Sequence, residues 1–188
     1  MEKHFELALV EQCAPTLACL KPANLFRFSG AQPKEIRRWA EEWNLQLEPS
    51  GICVAVLKEC PASGACMLYV YRRGWVERIL WERENLEFLS RMGYHAAAAE
   101  GMLAQLSERL CIEAEYPHEV GLFLGYPLQD VVGFIENRGW NYTCCGYWKS
   151  YGDPEEARRC FARYRRCTAI YQNLYRRGTP VMDLVVAA

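Results

Sequence analysis

The stretch HEVGLFLGYPLQDVVGFIENRGWNYTCCGYWKSYGD, residues 118–153, decides the reading of the fold. Val120 to Leu124 is apolar on every side, the pattern of an inner strand, and Gly125-Tyr126-Pro127 turns the chain. Leu128, Val131, Val132 and Ile135 then recur at helical spacing until Gly139 stops them, and Tyr142 to Trp148 reads as a second strand. A strand, a crossover of about a dozen residues and another strand predict a right-handed parallel β-α-β unit at 118–149.

Upstream, Cys13-Ala-Pro-Thr-Leu-Ala-Cys19 predicts a short helix with Pro15 in its first turn, where a missing N–H costs nothing, and with Cys13 near the cap. LKPANLFRFSG follows as irregular chain, and Pro33 opens a helix in which Ile36, Trp39, Ala40, Trp43 and Leu47 share one face. Ile52–Lys58 and Cys66–Arg73, joined by a Pro-Ala-Ser-Gly loop, predict an antiparallel hairpin. Trp75 to Met92 is helical in pattern with a kink near Asn85, and Ala96 to Leu110 forms another helix.

Downstream, Asp153, Pro154 and Glu156 occupy the N-cap, N1 and N3 positions of a capping box, and Gly178 ends the helix that they open. The fold class expected is α/β (mixed α+β): a mixed sheet of about four or five strands with the unit at 118–149 and flanking helices. The 188 residues fit one globular domain, residues 1–178, followed by an apolar tail at 179–188. That tail is a candidate contact for a protein partner.

With 51% hydrophobic and 13% aromatic residues the chain can build a sizeable core, and a net charge of -1 supplies no global field for nucleic acid or anionic lipid. No run approaches the roughly 18 apolar residues of a membrane span. Ten cysteines without a Cys-x-x-Cys pair, behind a start that lacks an apolar signal core, point to reduced thiols in the cytoplasm. The seven arginines between Arg158 and Arg177 sit opposite an apolar stripe and are expected to form a solvated face offset by Glu155, Glu156 and neighbouring acids, so nucleic acid is not an expected partner.

Phosphate loops of the Gly-x-Gly-x-x-Gly or Walker type and a Gly-x-Ser-x-Gly elbow are missing from the sequence. Of the thiols, Cys13 stands out, because the positive end of a helix favours a thiolate. With His118 as base and Asn141 as orienting group it would form a papain-like set. Tyr147 and Trp148 are candidates to stack on a planar cofactor, whose identity the sequence does not specify. His118 with Cys144 and Cys145 offers metal-ligand residue types, but adjacent strand cysteines face opposite ways, so only one could ligate and no metal site is expected.

Three separated segments, Cys13-Ala-Pro-Thr-Leu-Ala with LKPANLF, HEVGLFLGYP from His118, and Cys145-Gly-Tyr-Trp-Lys149, carry a resemblance that spans nearly the whole chain. In that order they resemble a bacterial family known only as a domain of unknown function and common in anaerobes. The resemblance implies an intracellular bacterial setting and no activity, cofactor or catalytic residue. The function expected is therefore a non-catalytic binding or adaptor module for a metal, a redox cofactor or a protein partner, with a thiol-dependent enzyme using Cys13 and His118 as the alternative.

Overall fold

A computed structural model describes residues 2–110 and 117–187. In chain order it contains α1 (Glu2–Leu17), β1 (Ala23–Phe28), α2 (Pro33–Leu47), β2 (Ile52–Glu59) and β3 (Cys66–Arg72). There follow α3 (Arg73–Trp81), α4 (Arg83–Arg91), α5 (Ala99–Arg109), α6 (Val120–Phe123) and α7 (Leu128–Glu136). The short strands β4 (Cys144–Cys145) and β5 (Lys149–Ser150), the long α8 (Pro154–Arg176) and a 3-10 turn at Val181–Leu184 complete it.

The main sheet is antiparallel in the order β1-β3-β2, and its middle strand is buried on both faces. Alternation along β3 explains the layering, because successive strand residues point to opposite sides. Cys66, Leu68 and Val70 pack into a core built with α1, α2 and the tail residues Val181 and Leu184, whereas Tyr69 and Tyr71 enter a second core with α3 through α7. The sheet is thus a filling between two helical layers. A bulge between Val56 and Lys58 turns Leu57 toward the second core, where the Ser107 hydroxyl donates to its carbonyl.

Mixed helix and strand content agrees with the sequence expectation, but the parallel β-α-β unit at 118–149 does not form. Val120 to Phe123 is the helical turn α6, and Tyr142 to Trp148 contributes only the two-residue β4 and the tight turn to β5. A short run that is apolar on every side suits a buried helical turn as well as a buried strand, and periodicity cannot separate them. The chain's ending of that run decides it. Gly125 N–H returns to the Leu122 carbonyl at 3.0 Å and Tyr126 N–H to that of Gly121 at 2.9 Å, the paired bonds of a Schellman cap. Gly125 takes φ +76°, and a Cβ there would stand 2.0 Å from Pro22 Cγ, so only glycine fits.

Three smaller departures concern the bounds and kinds of elements. Cys13 lies in the last turns of α1 with Pro15 inside that helix, so it is far from the N-terminus of its own helix. The segment expected to be irregular contains β1, paired along its length with β3. The helix from Trp75 breaks at Glu82, and the buried Asn85 donates to the Ile79 carbonyl at 2.8 Å, capping the end of α3.

Arg72, 2% exposed, ties the first layer together. Its Nε donates to the Thr16 carbonyl at 2.8 Å and its Nη2 to those of Leu17 at 2.9 Å and Val186 at 2.7 Å, so one guanidinium caps α1 and holds the tail. The apolar side chains Val181 and Leu184 are thereby spent inside the chain. Arg72→Met is expected to lower the unfolding free energy by about 3 kcal/mol, because the carbonyls lose a charged donor. Urea denaturation is the measurement, and exposed Arg83→Met, expected within about 0.5 kcal/mol of wild type, is the comparison. Equal effects from the two would show that the clamp contributes nothing.

Candidate functional site

The site grows from the first turn of α7, where Pro127 is the N-cap and Asp130 stands three residues in. A carboxylate is favoured there by the positive end of the helix. Asp130, 3% exposed, spends its oxygens on the β4–β5 hairpin. Oδ2 accepts from Trp148 Nε1 at 2.7 Å, and Oδ1 accepts from the Tyr151 and Gly152 amides at 2.7 and 3.2 Å and from Ser150 Oγ at 3.2 Å. No cation pairs with it among the described residues, so these four donors, with the positive end of α7, offset the cost of burying the charge.

Aromatic contacts set the hairpin against α8. Trp148 stacks on Tyr126 with centroids 4.7 Å apart and meets Phe161 edge-on at 4.5 Å, while Tyr147 meets Tyr164 edge-on at 5.2 Å. Gly146 lets the turn approach, since a Cβ there would stand 2.2 Å from the Phe161 ring. The Tyr126 hydroxyl donates to the Tyr147 carbonyl at 3.3 Å, and burial pushes its pKa up to about 12.

Behind this wall lies Lys21, 3% exposed, with its ammonium 5.4 Å from the centre of the Tyr126 ring. Burial pushes its pKa down to about 8, against the opposing pull of Cys13 and Cys160. Sequence reasoning missed both Asp130 and Lys21. An Asp three residues past a Gly-x-Pro turn marks a helix start and could have flagged the first; nothing local announces that a lysine will be buried.

Between α6, α7 and the hairpin lies an open-sided cavity of about 340 Å³. Tyr126, Phe134 and Trp148 with the aliphatic Val120 and Val131 form its walls, and His118, Cys145 and Lys149 bring the polar groups together with Asp130, whose carboxylate is taken up by the hairpin. The His118 ring packs edge-on against Phe134 at 4.8 Å. Lys149 Nζ donates to the Gly139 carbonyl at 2.8 Å and lies 5.1 Å from the Tyr142 ring centre. Gly139 belongs to a turn in which Arg138, Gly139 and Asn141 all take positive φ, and this turn leaves Trp140 74% exposed beside the site.

Two of the residues singled out from sequence, His118 and Trp148, line this cavity, and Tyr147 backs it against α8. Cys13 is not among the lining residues: it is fully buried in the α1–sheet core, where burial pushes its thiol pKa up instead of down. The argument from a helix N-terminus therefore fails for Cys13. Asn141 also lies outside the lining, exposed, with its amide donating to Asn137 Oδ1 at 3.1 Å. Of the adjacent thiols Cys144 and Cys145, only Cys145 reaches the cavity, as strand alternation requires.

Two outcomes test this geometry. Asp130→Ala should reduce stability by about 3 kcal/mol, because four donors lose a charged acceptor; a cost under about 1 kcal/mol would mean the hairpin stands without it. Iodoacetamide should alkylate Cys145 in the native protein at least about tenfold faster than Cys13, as read by peptide mass spectrometry, since a buried, protonated thiol is inert. Faster labelling of Cys13 would contradict its placement.

No curated protein and no solved structure matches the chain. Residues 9–185 match the model of a family described as "Protein of unknown function (DUF3793)", a span that takes in the second half of α1, the sheet, the cavity and α8. The chain belongs to that family.

Proposed function

We propose that the protein is a binding module whose cavity between α6, α7 and the hairpin takes a small planar apolar molecule bearing one anionic group. The observation that carries this reading is the pairing of aromatic walls with Lys149, a cation whose only hydrogen-bond partner among the described residues is a backbone carbonyl. A volume of about 340 Å³ lies at the small end of the usual ligand range, which suits one or two fused rings. Trp148 and Phe134 contribute aromatic surface to the lining, and an ammonium there rewards a carboxylate. No helix among the described residues is long and apolar enough to cross a membrane. Among those residues no two cysteines are joined by a disulfide, which supports a reducing, cytoplasmic setting.

A thiol-dependent reaction is the second reading, favoured by one observation: Cys145 and His118 line the same cavity. In this form the nucleophile passes from Cys13 to Cys145. A pH profile of Cys145 alkylation with its midpoint below the ordinary thiol value of about 8.5 supports the enzyme; a midpoint at or above it supports the binding module.

Calorimetric titration with 2-naphthoate and the neutral 2-naphthamide tests the first reading. Naphthoate is expected to bind about tenfold more tightly than the amide, with the preference lost in Lys149→Met. Equal affinity for the two probes in the wild type, or binding of neither, would refute it.

A further inference from the structure

α8 presents a second surface, unrelated to the cavity. The helix is 23 residues long, or about 34 Å at 1.5 Å per residue. None of the chain's 23 acidic residues falls between 157 and 182, yet Arg158, Arg159, Arg163, Arg165, Arg166, Arg176 and Arg177 all lie there. All seven are exposed. Only Arg158 has a carboxylate partner among the described residues, and that partner, Glu155, is on its own helix. Among the described residues the acids near these charges stand at the two ends, Glu155 and Glu156 in the first turn of α8 and, at the far end, Glu6 and Glu11 of α1, which share a depression with Arg176. The strongest field is therefore at Arg159–Arg166.

The arrangement is ordered. At about 100° per residue, Arg158, Arg165 and Arg176 form one row, while Arg159, Arg163, Arg166 and Arg177 form another about 100° around the helix. Between the rows runs a spine of the small, exposed residues Ala162, Ala169 and Asn173. The buried face, Ala157, Phe161, Tyr164 and Cys167, lies on the opposite side. Guanidinium forks suit bidentate contact with phosphate, and two rows flanking a low ridge match a helix that enters a groove and reaches the backbone on both sides.

We infer that the outer face of α8 docks in the major groove of duplex DNA, with the small-residue spine toward the base pairs and the two arginine rows on the phosphates of the two strands. The major groove of B-form DNA, about 12 Å wide, admits an α-helix, whereas the deep, narrow groove of A-form RNA does not. Single strands are bound by stacking on exposed aromatics. On α8 the tyrosines are buried or half-buried. A lipid surface requires a free apolar face, and that of α8 is occupied within the fold.

Fluorescence anisotropy with the full chain and a labelled duplex of about 20 base pairs, at about 50 mM salt, is the test. Binding in the range of about 1–100 μM is expected, and Arg159→Gln/Arg163→Gln/Arg166→Gln should weaken it about tenfold while making the slope of log K against log salt shallower by about 3. Arg27→Gln/Arg37→Gln/Arg38→Gln removes the same charge elsewhere and should change affinity less than about twofold. Circular dichroism checks that each variant folds; if the first triple does not, Ala162→Glu/Ala169→Glu places repulsion on the spine and should abolish binding. Absence of duplex binding, equal losses in both triples, or equal or tighter binding to single-stranded DNA, polyglutamate or anionic vesicles would overturn the inference.

Discussion

The central strand β3 is buried on both faces, and that constraint organises everything else. A strand that hides Leu68 and Val70 on one side and Tyr69 on the other must be covered by helices twice, so the chain crosses from α1 and α2 on one face to α3–α7 on the other. One contact in the second layer connects the sheet to the cavity. The Tyr69 hydroxyl, fully buried, donates to the Phe123 carbonyl at 2.5 Å and so fixes α6, whose N-terminal residues line the pocket. The bond satisfies a carbonyl at a helix end and a hydroxyl that has no access to water.

From α6 outward, the site is held by one buried carboxylate and a set of rings. Two short strands of two residues each do not persist by their own ladder. Asp130 supplies the missing cohesion with four accepted hydrogen bonds, and the Tyr126–Trp148–Phe161 packing supplies the apolar area. α8 serves both ends of this arrangement: its first half props the hairpin, and its second half packs Tyr171, Leu174 and Tyr175 on the α1 core. Two of the buried charges without a partner of opposite sign among the described residues, Arg72 and Asp130, accordingly stand where separate elements of the chain must be joined.

The cavity and the outer face of α8 differ in their physics. The first is small, concave and largely apolar, with the ammonium of Lys149 in its lining. The second is convex and charged, in a chain whose net charge is -1, so its field is local and opposed by the rest of the molecule. Phe161 and Tyr164 lie on the inner side of the same helix whose outer side carries the arginines, so the hairpin and the basic face share one rigid element.

Local chemistry was readable wherever a residue's conformational preference or its period acts alone. Pro33 and the tryptophan face of α2, the β2–β3 hairpin, the Asp153 cap that accepts from the Glu155 amide at 2.8 Å, and the stop at Gly178 follow from the sequence because each depends on neighbours a few residues away. The candidate site was half legible: His118 and Trp148 were marked by the unusual density of polar and aromatic groups around them, whereas Cys13 misled because its helix begins eleven residues earlier than Pro15 suggested. Only the tertiary structure decided whether Val120–Leu124 is strand or helix, that β1 joins the sheet, and that Asp130, Lys21 and Arg72 are buried. The reason is physical: an apolar run pattern records that a segment is hidden, but not which partners hide it, and a charge can be buried only once donors from elsewhere in the chain have been brought to meet it.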